Sequence, residues 1–150
     1  MPLVESRLIE LGYILPPPAE PIGNYLSASS SGNIMWMAGV GARRADGSRI
    51  SGKLGENLTV AEGYEAARWC ALNLLSRMKV ELGDLDRVTR ILKVFGMVNS
   101  SPDFEEQAVV VDGASDLFVE LFGEAGRHSR SAPGMAILPR NTAVIVDCVI

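Results

Sequence analysis

The sequence feature that most constrains the fold is a long amphipathic segment between Thr59 and Gly83. Its first four residues, Thr59-Val-Ala-Glu62, form a capping-box pattern, in which the threonine accepts an early backbone N–H and the glutamate reaches back to the cap. Apolar residues then recur at steps of three and four, namely Tyr64, Ala67, Cys70, Ala71, Leu74, Leu75, Met78 and Leu82. This wide apolar stripe predicts a long helix packed on a second layer, and Gly83 is expected to end it.

The segments on either side of this helix predict shorter elements. A short N-terminal helix should stop at Gly12, before the prolines at 16–18. Two strands should form a hairpin around Gly32-Asn33, with a turn that is not the tight two-residue kind alone. In chain order we expect a helix over 4–11, strands within 25–31 and 34–39, the long helix, a strand over 87–99, a helix from between Asp112 and Ser115 to Phe122, and strands over 130–138 and 143–150, separated by a turn at 139–141.

This order of elements predicts an α+β fold with two helices on one face of a mixed sheet. The length of 150 residues suits a single domain spanning 1–150, in which residues 1–20 form an N-terminal helix and a proline-rich extension. Because helices would cover only one face, the other face should remain apolar. We therefore expect a homo-oligomer to cover it.

Composition limits the classes of function. Fourteen Lys and Arg against 18 Asp and Glu give a net charge of −4, which weighs against binding of nucleic acid through its phosphates. A single histidine, His128, excludes multi-histidine metal sites, so we expect no metal. The two cysteines offer neither a disulfide scaffold nor a CxxC site. Without a signal-like N-terminus or a long apolar run, we expect a soluble cytoplasmic protein that does not bind membranes.

The densest polar cluster lies at residues 126–131, at the mouth of a predicted strand. Arg130 could hold a carboxylate or a phosphate through two parallel hydrogen bonds. Composition alone favours the alternative, a solvated loop or an internal salt bridge. His128 could act as a base with Ser129 or Ser131 as nucleophile, although the GxSxG motif of serine hydrolases is absent.

Asp147 lies within the apolar run Ala-Val-Ile-Val-Asp-Cys-Val-Ile at the C-terminus. A carboxylate in such a strand is costly unless it is paired or functional. Burial of Asp147 beside Arg130 would satisfy both interpretations.

Several short segments together are typical of one protein family. They are Pro21-Ile-Gly23-Asn-Tyr25, Gly32-Asn33 with the apolar strand to Gly39, the link 82–88 between helix and strand, and Arg130-Ser131 with Leu138-Pro139 and the closing strand. Over nearly its whole length the chain resembles the reactive intermediate deaminases, the RidA or YjgF family, once described as L-PSP endoribonucleases. The patterns over 56–75, 94–104 and 112–132 resemble a particular subgroup of that family.

The resemblance implies a chorismate-mutase-like fold assembled as a homotrimer, with sites in the clefts between subunits. Active members hydrolyse enamines and imines such as 2-aminoacrylate to 2-keto acids and ammonia, and no metal or organic cofactor is implied. Carried over, Arg130 binds the substrate carboxylate, Tyr25 lies near the site and Asp147 replaces a glutamate that positions water. Ser131 beside Arg130, and Ser115, are further candidates for substrate binding.

The sequence departs from the family pattern in four places. The family's serine-glycine-glutamine is Ala38-Gly39-Val40 here, and the cysteine often found after the arginine-serine pair is Ala132. Pro133-Gly134 interrupts the strand that follows, where a proline suits an edge or a bulge. An asparagine that precedes the second helix has no sure counterpart, although Ser115 or Asp112 could replace it.

Three functions are therefore weighed. The first is deamination of small enamines or imines, in which Arg130 and Asp147 are catalytic. The second is a non-catalytic trimer that binds a small carboxylate as a sensor or scaffold, suggested by the missing glutamine. The third, an endoribonuclease, rests on the older family label and on arginines 127, 130 and 140, and the negative net charge weighs against it.

Overall fold

The computed structural model describes residues 2–150 and contains three helices and six strands. The helices are α1 (Leu3–Glu10), α2 (Val60–Leu82) and α3 (Gln107–Phe122). The strands are β1 (Ala28–Ser31), β2 (Ile34–Gly41), β3 (Lys93–Asn99), β4 (Ser129–Ser131), β5 (Gly134–Met135) and β6 (Val144–Val149). The predicted α+β class is confirmed.

Helix α2 forms as its sequence predicts. The Thr59 hydroxyl accepts from the Glu62 backbone N–H at 3.2 Å, and the Glu62 carboxylate accepts from the Thr59 N–H at 3.2 Å. Both halves of the capping box are therefore present. The helix ends at Gly83, whose φ of 80° suits a residue without a Cβ.

The strands form one mixed sheet in the order β1-β2-β6-β3-β4, and β5 also pairs with β3. Strand β3 is antiparallel to β6 and parallel to β4 and β5, whereas β1, β2 and β6 form antiparallel pairs. The arrangement places β3 between the two C-terminal strands, so β4 and β6 are not neighbours. Arg130 and Asp147 therefore lie on strands that are not adjacent, and the sequence-based expectation that Asp147 is buried beside Arg130 is wrong.

Helices α2 and α3 pack against each other on one face of the sheet. Gly113 of α3 lies so close to α2 that a Cβ there would sit 2.0 Å from the Tyr64 carbonyl oxygen. Gly96 of β3 likewise lies directly under Val111 of α3. The layer between helices and sheet is apolar and closed, and its largest fully buried side chains include Phe118, Leu54, Leu72, Leu74, Leu75, Met78 and Leu117.

Helix α1 packs beside this layer, and its N-terminus is capped by a side chain from a distant part of the chain. Its N-cap is Pro2, which offers no capping side chain. The Asp86 carboxylate instead accepts from the backbone N–H groups of Leu3 and Val4, at 2.7 and 2.9 Å. Val4 and Leu8 are buried as a result. The predicted helix over 4–11 is thus confirmed within one residue at each end.

No helix of residues 2–150 has both the length and the apolar character needed to cross a bilayer.

The other side of the sheet carries no helix, and we refer to it as the open face. Val146 and Cys148 face the helices and are buried, so alternation along β6 directs Asp147 to the other side. Trp36, which is 46% exposed, pairs with Val149 on that side. The open face is formed by Trp36, Lys93, Phe95, Met97, Ser131, Ile145, Asp147 and Val149. Most of these side chains are apolar, as the one-sided helix layer predicts.

Four sequence-based boundaries are corrected by the structure. Strand β3 begins at Lys93, and the backbone N–H of Ile91 before it donates to the Ala125 carbonyl and not to a neighbouring strand. Helix α3 begins at Gln107, well before 112, because Val110 and Val111 are buried against the sheet despite their weak helix propensity. Pro133 separates β4 from β5 in what we expected to be one strand.

The fourth correction concerns the first hairpin. Ser31 pairs directly with Ile34, so the turn is the tight two-residue kind formed by Gly32 and Asn33. The φ of 59° at Gly32 fits a turn with glycine at its first central position.

Candidate functional site

The first polar group lies on the helix side of the sheet and centres on Arg130. Arg130 pairs with the buried Val94 of β3 and therefore points towards α3. Its Nη1 lies 2.7 Å from Asp112 Oδ1 and 3.1 Å from Ser115 Oγ, and its Nη2 donates to the Ala108 carbonyl at 3.2 Å. The guanidinium is thus held by two successive turns of α3. This is the internal salt bridge that composition favoured.

His128 extends this group through Ser115, and we call Asp112, Ser115, His128 and Arg130 the Arg130 cluster. His128 Nδ1 lies 2.6 Å from the Gly126 carbonyl, which can only accept, so Nδ1 carries the proton. Nε2 then accepts from the Ser115 hydroxyl at 2.8 Å. Burial and, to a smaller degree, the nearby Arg130 charge lower the His128 pKa. The imidazole is therefore neutral at neutral pH.

The open face carries a second polar group, formed by Lys93, Ser131 and Asp147, which we call the Asp147 group. Lys93 Nζ donates to Ser131 Oγ at 3.0 Å. Lys93 pairs with Val149, two residues beyond Asp147 along β6, which makes Lys93 and Asp147 diagonal neighbours about 7–8 Å apart. One cation, one hydroxyl and one carboxyl therefore lie on the same, otherwise apolar face, and Phe95 separates Ser131 from Asp147.

Asp147 differs from the other acidic residues in being partly buried without a partner. Its carboxyl makes no hydrogen bond or ion pair within residues 2–150, and the other carboxylates that also lack one there, those of Glu10, Glu56, Glu105, Glu106 and Glu120, belong to exposed residues. Burial raises its pKa. A half-buried carboxyl with a raised pKa can both accept and return a proton at a pH nearer neutrality than a solvated aspartate.

Tyr25 lies in a third place, at the edge of β2 and α2. It is 49% exposed, and its hydroxyl accepts from the Ile22 N–H at 3.5 Å. It lines a cavity with residues of the proline-rich segment, β2 and α2. Within one protomer, the site residues predicted from sequence therefore occupy three separate places.

The structure brings Arg130 together with Ser115, and it places Ser131 on the same face as Asp147, with Phe95 of β3 between them. It does not bring Arg130 and Asp147 together, because they lie on opposite faces of the sheet. Sequence reasoning missed Lys93. The sequence pattern that could have indicated Lys93 is the alternation of Lys93, Phe95 and Met97 with buried residues along β3. This alternation places all three side chains on one face of the sheet, which is also the face of Asp147.

Comparison with known proteins matches both the sequence and the fold. A family model described as "YjgF/chorismate_mutase-like, putative endoribonuclease" matches residues 5–149. Protein TCP17 from Trypanosoma cruzi is 47% identical over 148 residues, which cover 98% of this chain and 92% of that protein.

Two solved structures are similar over almost the whole chain. The protein Atu1372 from Agrobacterium tumefaciens, described as having unknown function, is 40% identical with a TM-score of 0.90, covering 98% of this chain and 90% of that one. A "putative endoribonuclease" from Shewanella oneidensis is 37% identical with a TM-score of 0.94, covering 97% of both chains. RidA from an Antarctic Psychrobacter is 18% identical with a TM-score of 0.60, covering 91% and 94%, and shares the fold alone.

Proposed function

The chain belongs to the YjgF/chorismate-mutase-like family, and we propose that it hydrolyses small enamines or imines of the 2-aminoacrylate type to 2-keto acids and ammonia. The single observation that supports this reaction is the environment of Asp147. A carboxyl on an apolar surface, half-buried and without a partner, costs stability, and such groups are concentrated at functional sites.

Hydrolysis of an enamine or imine requires few catalytic groups. An enamine that takes a proton from solvent at carbon becomes an iminium ion, whose carbon is electrophilic. The Asp147 carboxylate accepts one proton from a water molecule as the water oxygen bonds to that carbon, which gives a neutral aminoalcohol. Asp147 then returns this proton to nitrogen. As the carbon–nitrogen bond breaks and ammonia leaves, Asp147 accepts the hydroxyl proton and the keto group forms, so that one enamine and one water yield one keto acid and one ammonia, and the proton taken from solvent is given back when Asp147 ionises again. One positioned carboxyl can carry this proton in both directions.

Arg130 supplies the charge that holds the substrate carboxylate. Asp112, Ser115 and Ala108 occupy its Nη1 and Nη2, which fixes the plane of the guanidinium. Its Nε–H makes no hydrogen bond within residues 2–150 and remains a donor for a ligand. An arginine held in this way loses little further freedom when a carboxylate binds.

The site uses Arg130 of one protomer and Asp147 of another in a homotrimer. Two observations support this arrangement. Arg130 and Asp147 lie on opposite faces of one sheet, so a single protomer does not unite them. Strand β4, which carries Arg130, ends the order of the sheet, so its outer edge is unpaired and can approach a neighbour's open face.

The reaction is tested by following the loss of 2-aminoacrylate or 2-iminobutyrate and the release of ammonia. Wild-type protein should accelerate the decay, and Arg130→Ala should lose at least about 100-fold of that acceleration. Arg44→Ala is the matched control, because Arg44 lies in the loop after β2 and its side chain hydrogen-bonds to Ser48 of the same loop. Equal decay with and without wild-type protein would refute the assignment.

The second candidate is a trimer that binds a small carboxylate without turnover. Asp112 already neutralises part of the Arg130 charge, which favours weak, reversible binding over catalysis. Under this hypothesis 2-keto acids should raise the melting temperature while no imine is consumed. An endoribonuclease would instead degrade RNA on incubation with the purified protein, and intact RNA would exclude it.

A further inference from the structure

The Arg130 cluster contains a serine–histidine pair that takes no chemical step in the proposed reaction. The sequence suggests Ser129 or Ser131 as the nucleophile for a His128 base. Neither serine contacts the imidazole in the structure, because the Ser129 hydroxyl donates to a backbone carbonyl at 3.1 Å and Ser131 lies on the open face. His128 instead faces Ser115, which lies thirteen residues earlier, on α3.

The contacts of the Ser115 hydroxyl are unusual for a serine within a helix. Such a hydroxyl often donates to a carbonyl of the preceding turn or points into solvent. The Ser115 hydroxyl donates to His128 Nε2 at 2.8 Å, and its oxygen accepts from Arg130 Nη1 at 3.1 Å. A neutral base is therefore placed to take the proton, and a cation is placed to stabilise the oxygen that remains. These two contacts activate a hydroxyl as a nucleophile.

The imidazole of His128 is held in the orientation that this role requires. Its Nδ1–H donates to the Gly126 carbonyl at 2.6 Å, which leaves Nε2 as the acceptor. The buried Phe118 packs edge-on against the ring, with 6.1 Å between the ring centroids. The turn that carries Gly126 is itself packed on α3, since a Cβ at this glycine would lie 2.2 Å from the Phe118 carbonyl oxygen. A nucleophile, a base and an acceptor that orients the base are thus all present.

An open cleft gives a ligand access to this pair. Besides the serine and the histidine, its lining includes Asp116, Val119, Glu120, Arg127 and Arg130. Its volume of about 520 Å³ lies within the range of about 300–1,000 Å³ that is typical of small-molecule sites. The two arginines and two carboxylates of the lining balance each other, which favours an uncharged ligand. Val119, which is 38% exposed, offers an apolar surface to a short hydrocarbon chain.

We propose that this cleft hydrolyses uncharged esters of short carboxylic acids, with Ser115 as the nucleophile and His128 as the base. Ser115 Oγ bonds to the ester carbonyl carbon as its proton passes to His128 Nε2. The Arg130 charge beside Oγ stabilises the oxyanion that forms. As the carbon–oxygen bond to the alcohol breaks, Nε2 gives its proton to the departing oxygen, and an acyl-serine remains.

Water then releases the acid from the acyl-serine. The water oxygen bonds to the acyl carbon while one water proton passes to His128 Nε2. The bond from this carbon to Ser115 Oγ breaks, and Nε2 returns the proton to Oγ. One ester and one water thus yield one acid and one alcohol, and both side chains regain their starting state.

Covalent labelling of the full-length wild-type protein tests the nucleophile. With phenylmethanesulfonyl fluoride, Ser115 Oγ bonds to sulfur, fluoride leaves and the hydroxyl proton passes to His128 Nε2. Peptide mass mapping over time then gives the labelling rate of each serine. Ser115 should be labelled at least about 100-fold faster than Ser129, which is exposed and makes no contact with the imidazole.

Turnover is tested with p-nitrophenyl acetate, an uncharged ester of a short acid. Wild-type protein should release p-nitrophenolate, and Ser115→Ala and His128→Gln should each lose at least about 100-fold of that rate. Ser129→Ala is the matched control and should hydrolyse the ester as wild type does. These assays contain no enamine, so their outcome is independent of the deamination proposed above.

Two results would overturn the proposal. If Ser115 in wild-type protein is labelled no faster than Ser129, its hydroxyl is not activated. If Ser115→Ala hydrolyses the ester as fast as wild type, another group carries out the reaction. The first comparison uses two serines of the same wild-type molecules and therefore does not depend on whether a variant folds.

Discussion

Arg130 and Asp147 point to opposite faces of the same sheet, and strand β3 separates the strands that carry them. Arg130 lies beside Val94 and bonds to α3, whereas Asp147 lies beside Phe95 on the open face. Sequence reasoning had suggested that Asp147 is buried beside Arg130. Within a protomer it is not, and a site that uses both residues requires two copies of the chain.

Asp147→Asn should lower activity and raise stability together. The variant removes the proton carrier, so hydrolysis should fall at least about 100-fold. Because burial raises the folded-state pKa, the ionised carboxyl costs stability, and this cost grows as the pH rises from the unfolded value of about 3.9 through the folded pKa.

Urea unfolding of wild type and Asp147→Asn, at equal protomer concentration, checks this cost. The variant should be the more stable near pH 7.5, and the difference should shrink as the pH is lowered towards about 4. Asp103→Asn, in the exposed loop before α3, is the control and should show no such gain. A less stable Asp147→Asn at neutral pH would mean that the carboxylate has a stabilising partner.

His128→Gln should remove part of the acid sensitivity of the fold. Burial lowers the folded-state pKa of His128 below the unfolded value of about 6.5. The neutral imidazole therefore costs no stability above about pH 6.5, and stability is lost as the pH falls from that value through the folded pKa, because the unfolded chain binds the proton more readily. Glutamine does not titrate. The variant should therefore lose less stability than wild type between about pH 7 and pH 5, as measured by urea unfolding. Equal losses would show that burial does not control this histidine.

Asp112→Asn should separate the positioning of Arg130 from the stability of the fold. The ion pair is partly exposed, so its loss should cost less than about 1 kcal/mol in the free energy of unfolding. With the guanidinium less firmly fixed, KM should rise while kcat changes little. A fall in kcat at unchanged KM would place Asp112 in the chemical step instead.

Gly113→Ala should destabilise the protein by about 1–3 kcal/mol or more, because the new methyl group would lie against the Tyr64 carbonyl and force α2 and α3 apart. Val109→Ala is the control on the same helix, since Val109 is 46% exposed and truncation there leaves no cavity. The comparison uses the midpoint of urea unfolding. Two equally stable variants would contradict the close packing of the helices.

The parts of the fold that the sequence predicts are those with a local signal. The capping box at Thr59 and the stop at Gly83 each occupy a few neighbouring residues, and both ends of α2 follow from them. The start of α3 was missed because the valines at 109–111 favour strands and are helical only through packing on the sheet. The position of β3 between β4 and β6 is a long-range property with no local signal.

The candidate site was predictable in its residues and not in its geometry. Arg130 is a charged residue at the start of a predicted strand, and Asp147 is a charged residue within an apolar strand. Both are therefore recognisable as site candidates from the sequence. The side of the sheet to which Arg130 points depends on its register with Val94, which a one-residue shift would reverse. Asp112, which pairs with Arg130, lies within α3, whereas the sequence predicted that this helix begins only between Asp112 and Ser115.

In the proposed trimer, one site combines Arg130 of one protomer with Asp147 of another. The direct test measures 2-aminoacrylate hydrolysis by trimers assembled from equal amounts of Arg130→Ala and Asp147→Asn subunits. Each variant alone should be inactive, whereas random mixing restores about a quarter of the sites in a closed ring of head-to-tail contacts. We expect activity near that fraction of wild type. Mixed assemblies no more active than the two separate variants would contradict the shared site.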